Sequence, residues 1–245
     1  MKRLIFSLLL LAGIVAGGCR RSTAPRFETV VADTVVVRGG VTARFQYAFA
    51  TIVDADKVPA LQAIEEADKH YFFGLEHFQG DVRQAVDASV ARFMEEYVGD
   101  LPEQDPDWTT ELELTVESDA RAVDSLLVFT ILRSSYTGGA HGMYSIECHN
   151  YSLAGGYELV LADLFDLERQ AALREAIRRK LYERFDVAGD EGLAELGFFP
   201  EYITATENFE VADDGITFYY NPYDIGCYAL GGVEVHLTRD ELQRL

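Results

Sequence analysis

The chain has 245 residues, 49% of them hydrophobic and 25% charged, with 41 acidic residues against 21 basic ones. That length fits one or two domains, and the composition is ordinary for a globular protein, which excludes a disordered, collagen-like or multi-span membrane chain. A net charge of −20 repels phosphate backbones and argues against a nucleic-acid partner.

Residues 1–18 read as an export leader. Lys2 and Arg3 form a basic start, Leu4 to Val15 is apolar apart from Ser7 and Gly13, and the small residues Ala16, Gly17 and Gly18 precede Cys19. The apolar stretch falls short of the ~20 residues a transmembrane helix needs, and its small-small-Cys ending is that of a lipoprotein signal. The pattern resembles bacterial lipoproteins, in which this cysteine is freed by cleavage and acylated. The resemblance implies a lipid-anchored, extracytoplasmic protein of the cell envelope, periplasmic in a Gram-negative host. Cys19 is its lipidated residue and residues 19–27 are its tether. Arg20, Arg21 and Arg26 would then lie beside anionic headgroups. Loss of Lys2 and Arg3 with the leader would leave 19 basic residues against 41 acidic ones, a net charge of −22.

Next in the chain, residues 28–54 have the pattern of a β-hairpin. Val30, Val31 and Val35 to Val37 fill one arm, and Phe45, Tyr47 and Phe49 alternate along the other, with the turn signal Gly39-Gly40 between. Pro59 opens a helix to about Lys69. A second helix over 81–98 carries Val82, Val86, Val90, Phe93 and Tyr97 on one stripe and ends at Gly99. An acidic loop with Asp100, Glu103, Asp105 and Asp107 follows.

Residues 111–117 alternate strictly, with Leu112, Leu114 and Val116 on one side and Glu111, Glu113, Thr115 and Glu117 on the other, as in a half-exposed strand. Leu126 to Leu132 reads as a strand buried on both faces, and Tyr144, Ile146 and Cys148 mark a third strand. Gly155-Gly156 is a turn and a soft boundary. Leu173, Ile177, Leu181 and Phe185 define a helix over about 168–186. Two short strands flank Asp214-Gly215, Val233, Val235 and Leu237 make a last strand, and Thr238 with Glu241 forms a capping box. This order lacks regular βαβ alternation. It predicts an α+β fold of antiparallel sheets with packed helices. The two subdomains, residues 28–155 and 156–245, are expected to associate intimately.

The most unusual segment is Tyr136-Thr137-Gly138-Gly139-Ala140-His141-Gly142. Gly138 and Gly139 permit positive φ and close backbone approach, so backbone N–H groups there suit an anion or a peptide carbonyl. The alternative is a tight strand connection with a structural His141.

This run resembles the Y-x-G-G-A-H signature of a bacterial extracytoplasmic family that includes the ectodomain of the anti-sigma factor RsiV and the accessory domain of the deacetylase PdaC. Asn150 to Leu153, Gly155 to Leu159 and Leu161 to Phe165 resemble that family's strand, glycine turn and L-x-D-L-F element. Phe218 to Gly231 resembles its aromatic PYEIAxYAxG loop. Gly142 and Asp224 depart from the family's common Pro and Glu, and the likeness extends neither to a sigma-binding segment nor to a deacetylase domain. It implies binding rather than catalysis, with lysozyme or another cationic envelope protein, or a peptidoglycan-related ligand, as the partner. The contact residues it implies are Tyr136, Gly138, Gly139, His141, Pro222 and Tyr223, with Tyr223 and Tyr228 as aromatic anchors.

With Cys19 used as an anchor, Cys148 and Cys227 are left either as one disulfide or as two buried free thiols. No catalytic constellation stands out. His70 and His77 are seven apart without a third ligand, so no metal site is predicted. Asp105 and Asp107 lack the Gly and Glu of a calcium loop, and no G-x-S-x-G occurs. Ser134 or Ser135 beside His141 supplies the one nucleophile–base pairing, and with it an alternative reading as a hydrolase of envelope carbohydrate or peptide. No cofactor is implied.

Overall fold

The computed structural model describes residues 24–99 and 110–245. The expected leader, Cys19, the start of the tether and the acidic segment around Asp105 and Asp107 lie outside the described residues. The fold is α+β, with a five-stranded and a three-stranded sheet and helices packed on each.

The first strands, β1 (Phe27–Arg38) and β2 (Val41–Ile52), form the expected hairpin, with Gly39 and Gly40 both at positive φ in its turn. Helix α1 (Pro59–Phe73) has Pro59 in its first turn. It runs past Lys69 because Phe72 and Phe73 extend its buried face, and Gly74 ends it at φ +62°. Helix α2 (Val82–Val98) starts from Asp81, which caps it through Gln84 in a reciprocal pair of hydrogen bonds. Strands β3 (Thr110–Val123), β4 (Leu126–Tyr136) and β5 (Met143–Ser152) complete the sheet in the order β1-β2-β3-β4-β5.

One pairing differs from the expected antiparallel sheets. β2 and β3 run parallel, from Val41 opposite Thr110 to Ala48 opposite Glu117. The physical reason is the connection, since α1 and α2 lie between these strands and carry the chain back to the end where β2 began. The helices cover one face of the sheet. Phe45, Tyr47, Leu112, Val116 and Ile131 pack there against Phe72, Phe73, Phe93 and Met94. The opposite face exposes Val31, Val35 and Val37 beside Arg44, Glu111, Glu113 and Glu117.

The rest of the chain forms α3 (Leu161–Leu164), α4 (Leu167–Phe185), α5 (Asp190–Glu195), β6 (Phe209–Ala212), β7 (Gly215–Tyr220), β8 (Val233–Thr238) and α6 (Arg239–Leu242). Leu173, Ile177 and Leu181 of α4 are fully buried against the antiparallel β6-β7-β8 sheet, as their spacing predicts. Thr238 caps α6 with Glu241, also as predicted.

The two sheets meet along the outer edge of β5. Asn208 Oδ1 accepts from Cys148 N–H at 2.9 Å, and its Nδ2 donates to the Ile146 carbonyl at 2.7 Å. Asn221 Oδ1 accepts from Ile146 N–H at 2.8 Å. In the other direction Asn150, 1% exposed, donates to the Phe209 carbonyl at 2.7 Å and accepts from Val211 N–H at 3.0 Å. Arg121 adds a hydrogen bond to the Val211 carbonyl and an ion pair with Glu210. Asn208→Asp keeps the shape but turns a donor into an acceptor facing the Ile146 and Tyr219 carbonyls. It is expected to lower unfolding free energy by roughly 2 kcal/mol. Denaturant titration of variant and wild type measures this, and equal midpoints would show that the amide contributes nothing.

Candidate functional site

The loops that the sequence singles out lie far apart in the chain and touch in the fold. The first, residues 136–142, joins β4 to β5, with Gly138 at φ +97° and Gly139 at φ +93°. The Tyr136 hydroxyl donates across it to the Gly139 carbonyl at 3.0 Å. The second follows β7. Asn221 to Asp224 form a turn closed by Asp224 N–H on the Asn221 carbonyl at 3.0 Å and by Asn221 N–H on Asp224 Oδ2 at 2.7 Å.

Tyr228 connects the two loops. Its hydroxyl donates to the Gly142 carbonyl at 2.7 Å, and its ring stacks on His141 with centroids 3.9 Å apart at 18°. Tyr223 lies 5.6 Å from Tyr228 between centroids. Next to this contact the Tyr144 hydroxyl accepts from Gly232 N–H at 2.8 Å. Tyr136, His141, Tyr144 and Tyr223 are exposed, while Tyr228 is half-buried.

Tyr223 is 51% exposed and sits at φ +77°. It holds the third position of a turn whose second residue is proline, where a left-handed conformation ordinarily selects glycine. A bulky side chain there stores strain of order 1 kcal/mol, which its exposed ring does not recover by burial.

Pro222 is buried, so it shapes the turn rather than offering a contact surface. His141 Nδ1 bonds to the Gly142 carbonyl at 2.9 Å. Ser134 and Ser135, on alternate sides of β4, face Tyr144 and Met143 of β5 across the ladder. Cys148 and Cys227 are both free. Cys148 is buried on β5, where burial and then Glu210 push its thiol up to about 12, while the Cys227 sulfur lies against Gly197. His70 bonds to the Phe78 carbonyl from α1, but His77 is outside the helix at φ +54°, so the two share no face. Among the described residues no group of His, Cys, Asp and Glu is arranged to hold a metal ion.

Residues 162–240 match a family model described as a protein of unknown function (DUF3298). The matched region contains the Tyr223 turn and Tyr228 but not the 136–142 loop. The fold as a whole is similar to the crystal structure of a DUF3298 family member from Bacteroides fragilis, 26% identical, with a TM-score of 0.78 over 90% of this chain and 93% of that one. It also resembles a DUF3298 family protein from Pseudomonas aeruginosa, 15% identical, with a TM-score of 0.64 over 89% of this chain and 93% of that one. No curated protein matches the sequence. The DUF3298 match thus falls on the smaller sheet, and the structural likeness runs through both.

Sequence reasoning missed a second polar cluster, beneath α1. The Tyr71 ring stacks on His149 at 3.9 Å, and its hydroxyl donates to Glu158 Oε2 at 2.8 Å. His149 Nδ1 donates to Glu158 Oε1 at 2.7 Å. Burial alone would raise the Glu158 carboxyl, but the bonds from His149 and Tyr71 outweigh it and hold it below its ordinary value. Deeper still, Asp68 is 0% exposed, and neither carboxyl oxygen meets a partner among the described residues. Burial, followed by Glu65, Glu158 and Glu147, holds Asp68 well above the usual carboxylate range. The signal in the sequence was Asp68 on the apolar side of α1, four residues before Phe72.

Such a group keeps its proton in the folded state, whereas the unfolded chain releases it above about pH 4. Its contribution to stability therefore falls as pH rises from about 4 toward the raised folded value. Asp68→Asn is expected to melt above wild type at pH 7, with the gain shrinking toward pH 4. Parallel melting curves at the two pH values check this, and a pH-independent difference would refute a protonated Asp68.

Proposed function

We propose that the protein is a membrane-anchored extracytoplasmic lipoprotein that binds a partner without catalysing a reaction, through the paired loops around Tyr223 and His141. The observation that carries this reading is the contact of the two loops. Separate motifs, each similar to one in the RsiV and PdaC family, come together through Tyr228 and leave Tyr136, His141 and Tyr223 facing solvent. The strained, exposed Tyr223 supports it further, because strain retained without burial is characteristic of binding sites.

The anchor rests on the leader pattern and Cys19. The partner class rests on charge and on the resemblance. A chain of net charge −20 accelerates encounter with a cationic protein, such as a lysozyme or another basic envelope component. A rigid aromatic side chain then supplies contact area at low entropic cost. The hydrolase alternative gains no support, since His141 is occupied by the Gly142 carbonyl and the Tyr228 ring.

Titration of the full chain against a lysozyme panel, with a charge-matched basic protein as control, tests the reading at low and near-physiological salt. Saturable binding that survives salt is expected for a cognate partner. Tyr223→Ala should weaken it by about thirtyfold, near 2 kcal/mol, with the melting temperature nearly unchanged. Binding equal to the control and erased by salt would reduce the interaction to net charge.

A further inference from the structure

We propose that the cleft between the C-terminal end of α1, α2 and the neighbouring ends of β3 and β4 binds a neutral carbohydrate chain. The cleft measures about 820 Å³, within the range of small-ligand sites. It lies on the helix-covered side of the large sheet, apart from the Tyr223 turn, and does not depend on the loop-pair reading.

Two tyrosines on different helices present ring surface to it. Tyr71 is 41% exposed and Tyr97 is 38% exposed. Both rings are fixed in advance, Tyr71 by its stack on His149 and its bond to Glu158, Tyr97 by packing on Phe93 at 4.7 Å. The stripe expected on α2 placed Tyr97 with the core. The buried face is instead centred on Ala85, Ser89, Phe93 and Met94, which leaves Tyr97 at the cleft mouth.

The polar lining is equally fixed. Arg133 donates to the Tyr71 carbonyl at 2.9 Å and the Phe72 carbonyl at 3.2 Å, and its Nε lies 3.5 Å from Glu147. Arg92 donates to the Gly74 carbonyl. These guanidiniums serve the exposed carbonyls at the end of α1, and Glu76, Glu96 and Glu147 outnumber them in the lining.

That chemistry selects the ligand class. An anionic ligand would meet an excess of carboxylate and two arginines already engaged. A purely apolar ligand would strip water from the acids and guanidiniums and offer no hydrogen bond in return. A hydroxyl-rich chain satisfies both halves, because the C–H faces of its rings cover Tyr71 and Tyr97. Its hydroxyls donate to Glu96 and Glu147 and accept from the remaining Arg133 protons.

The test is calorimetric titration of the full chain with two neutral probes, cellotetraose and the tetramer of N-acetylglucosamine. Saturable binding of at least one is expected at ~1 mM or tighter. Tyr97→Ala should weaken it about tenfold or more, and Glu147→Gln, which keeps the shape of the lining, by severalfold. Tyr223→Ala should leave sugar binding unchanged, separating this cleft from the loop pair. Absence of binding by both probes up to ~10 mM overturns the proposal. So does wild-type affinity in a folded Tyr97→Ala protein; should that variant not fold, wild-type affinity in Glu147→Gln overturns it instead.

Discussion

Among the described residues the outer edge of β5 has no neighbouring strand, and asparagine side chains take the place of one. An unpaired edge leaves a row of backbone donors and acceptors that must find partners once buried. Here Ile146 and Cys148 are met by Asn208 and Asn221, the Asn150 carbonyl accepts from Leu159 N–H, and Ser152 N–H reaches the Tyr157 carbonyl. A primary amide offers the same donor and acceptor pair as a peptide group, so it extends a ladder where no strand fits. The two sheets are joined along this line, and their relative placement follows from it.

The loop pair is the far end of the same line. Beyond Ile146 come the Tyr144–Gly232 and Tyr228–Gly142 hydrogen bonds, which hold the 136–142 loop against the turn at Tyr223. An exposed aromatic surface made from two loops would ordinarily lose order on its own. Here its base is tied to the sheet junction, so Tyr223 is presented on a fixed support. The α1 side carries the opposite arrangement, with carboxyl groups turned inward. Asp68 lies fully buried there and Glu158 is held by two donors.

Much of the architecture was legible in the sequence, because periodicity reports burial directly. The 28–54 hairpin, the alternation of Leu112, Leu114 and Val116, the α4 stripe and the Thr238 cap all appear as read. Local patterns carry no information about the direction in which distant strands meet, which is why the parallel β2–β3 pair was missed. The same limit applied to the sites. Both loops were visible as motifs, but their contact through Tyr228 depends on how the sheets join. Pro222 was misread because a turn former and a contact residue look alike in one dimension. Tyr97 shares the helical spacing of its neighbours, and only the way α2 packs on the sheet decides that it stays exposed.

The parallel seam between β2 and β3 also governs how the chain reaches this structure. β1–β2 and β3–β4–β5 are each closed by short turns, so both can zip up locally. Their union must await closure of the whole segment between Ile52 and Thr110, with two helices inside it. Loop-closure entropy is spent there before any ladder bond returns it. Until that seam closes, Phe45, Tyr47 and Leu112 have no shared wall to bury against. The amide-lined edge of β5 belongs to the second of these pieces, so the hydrogen bonds that join the two sheets all lie on one side of that seam.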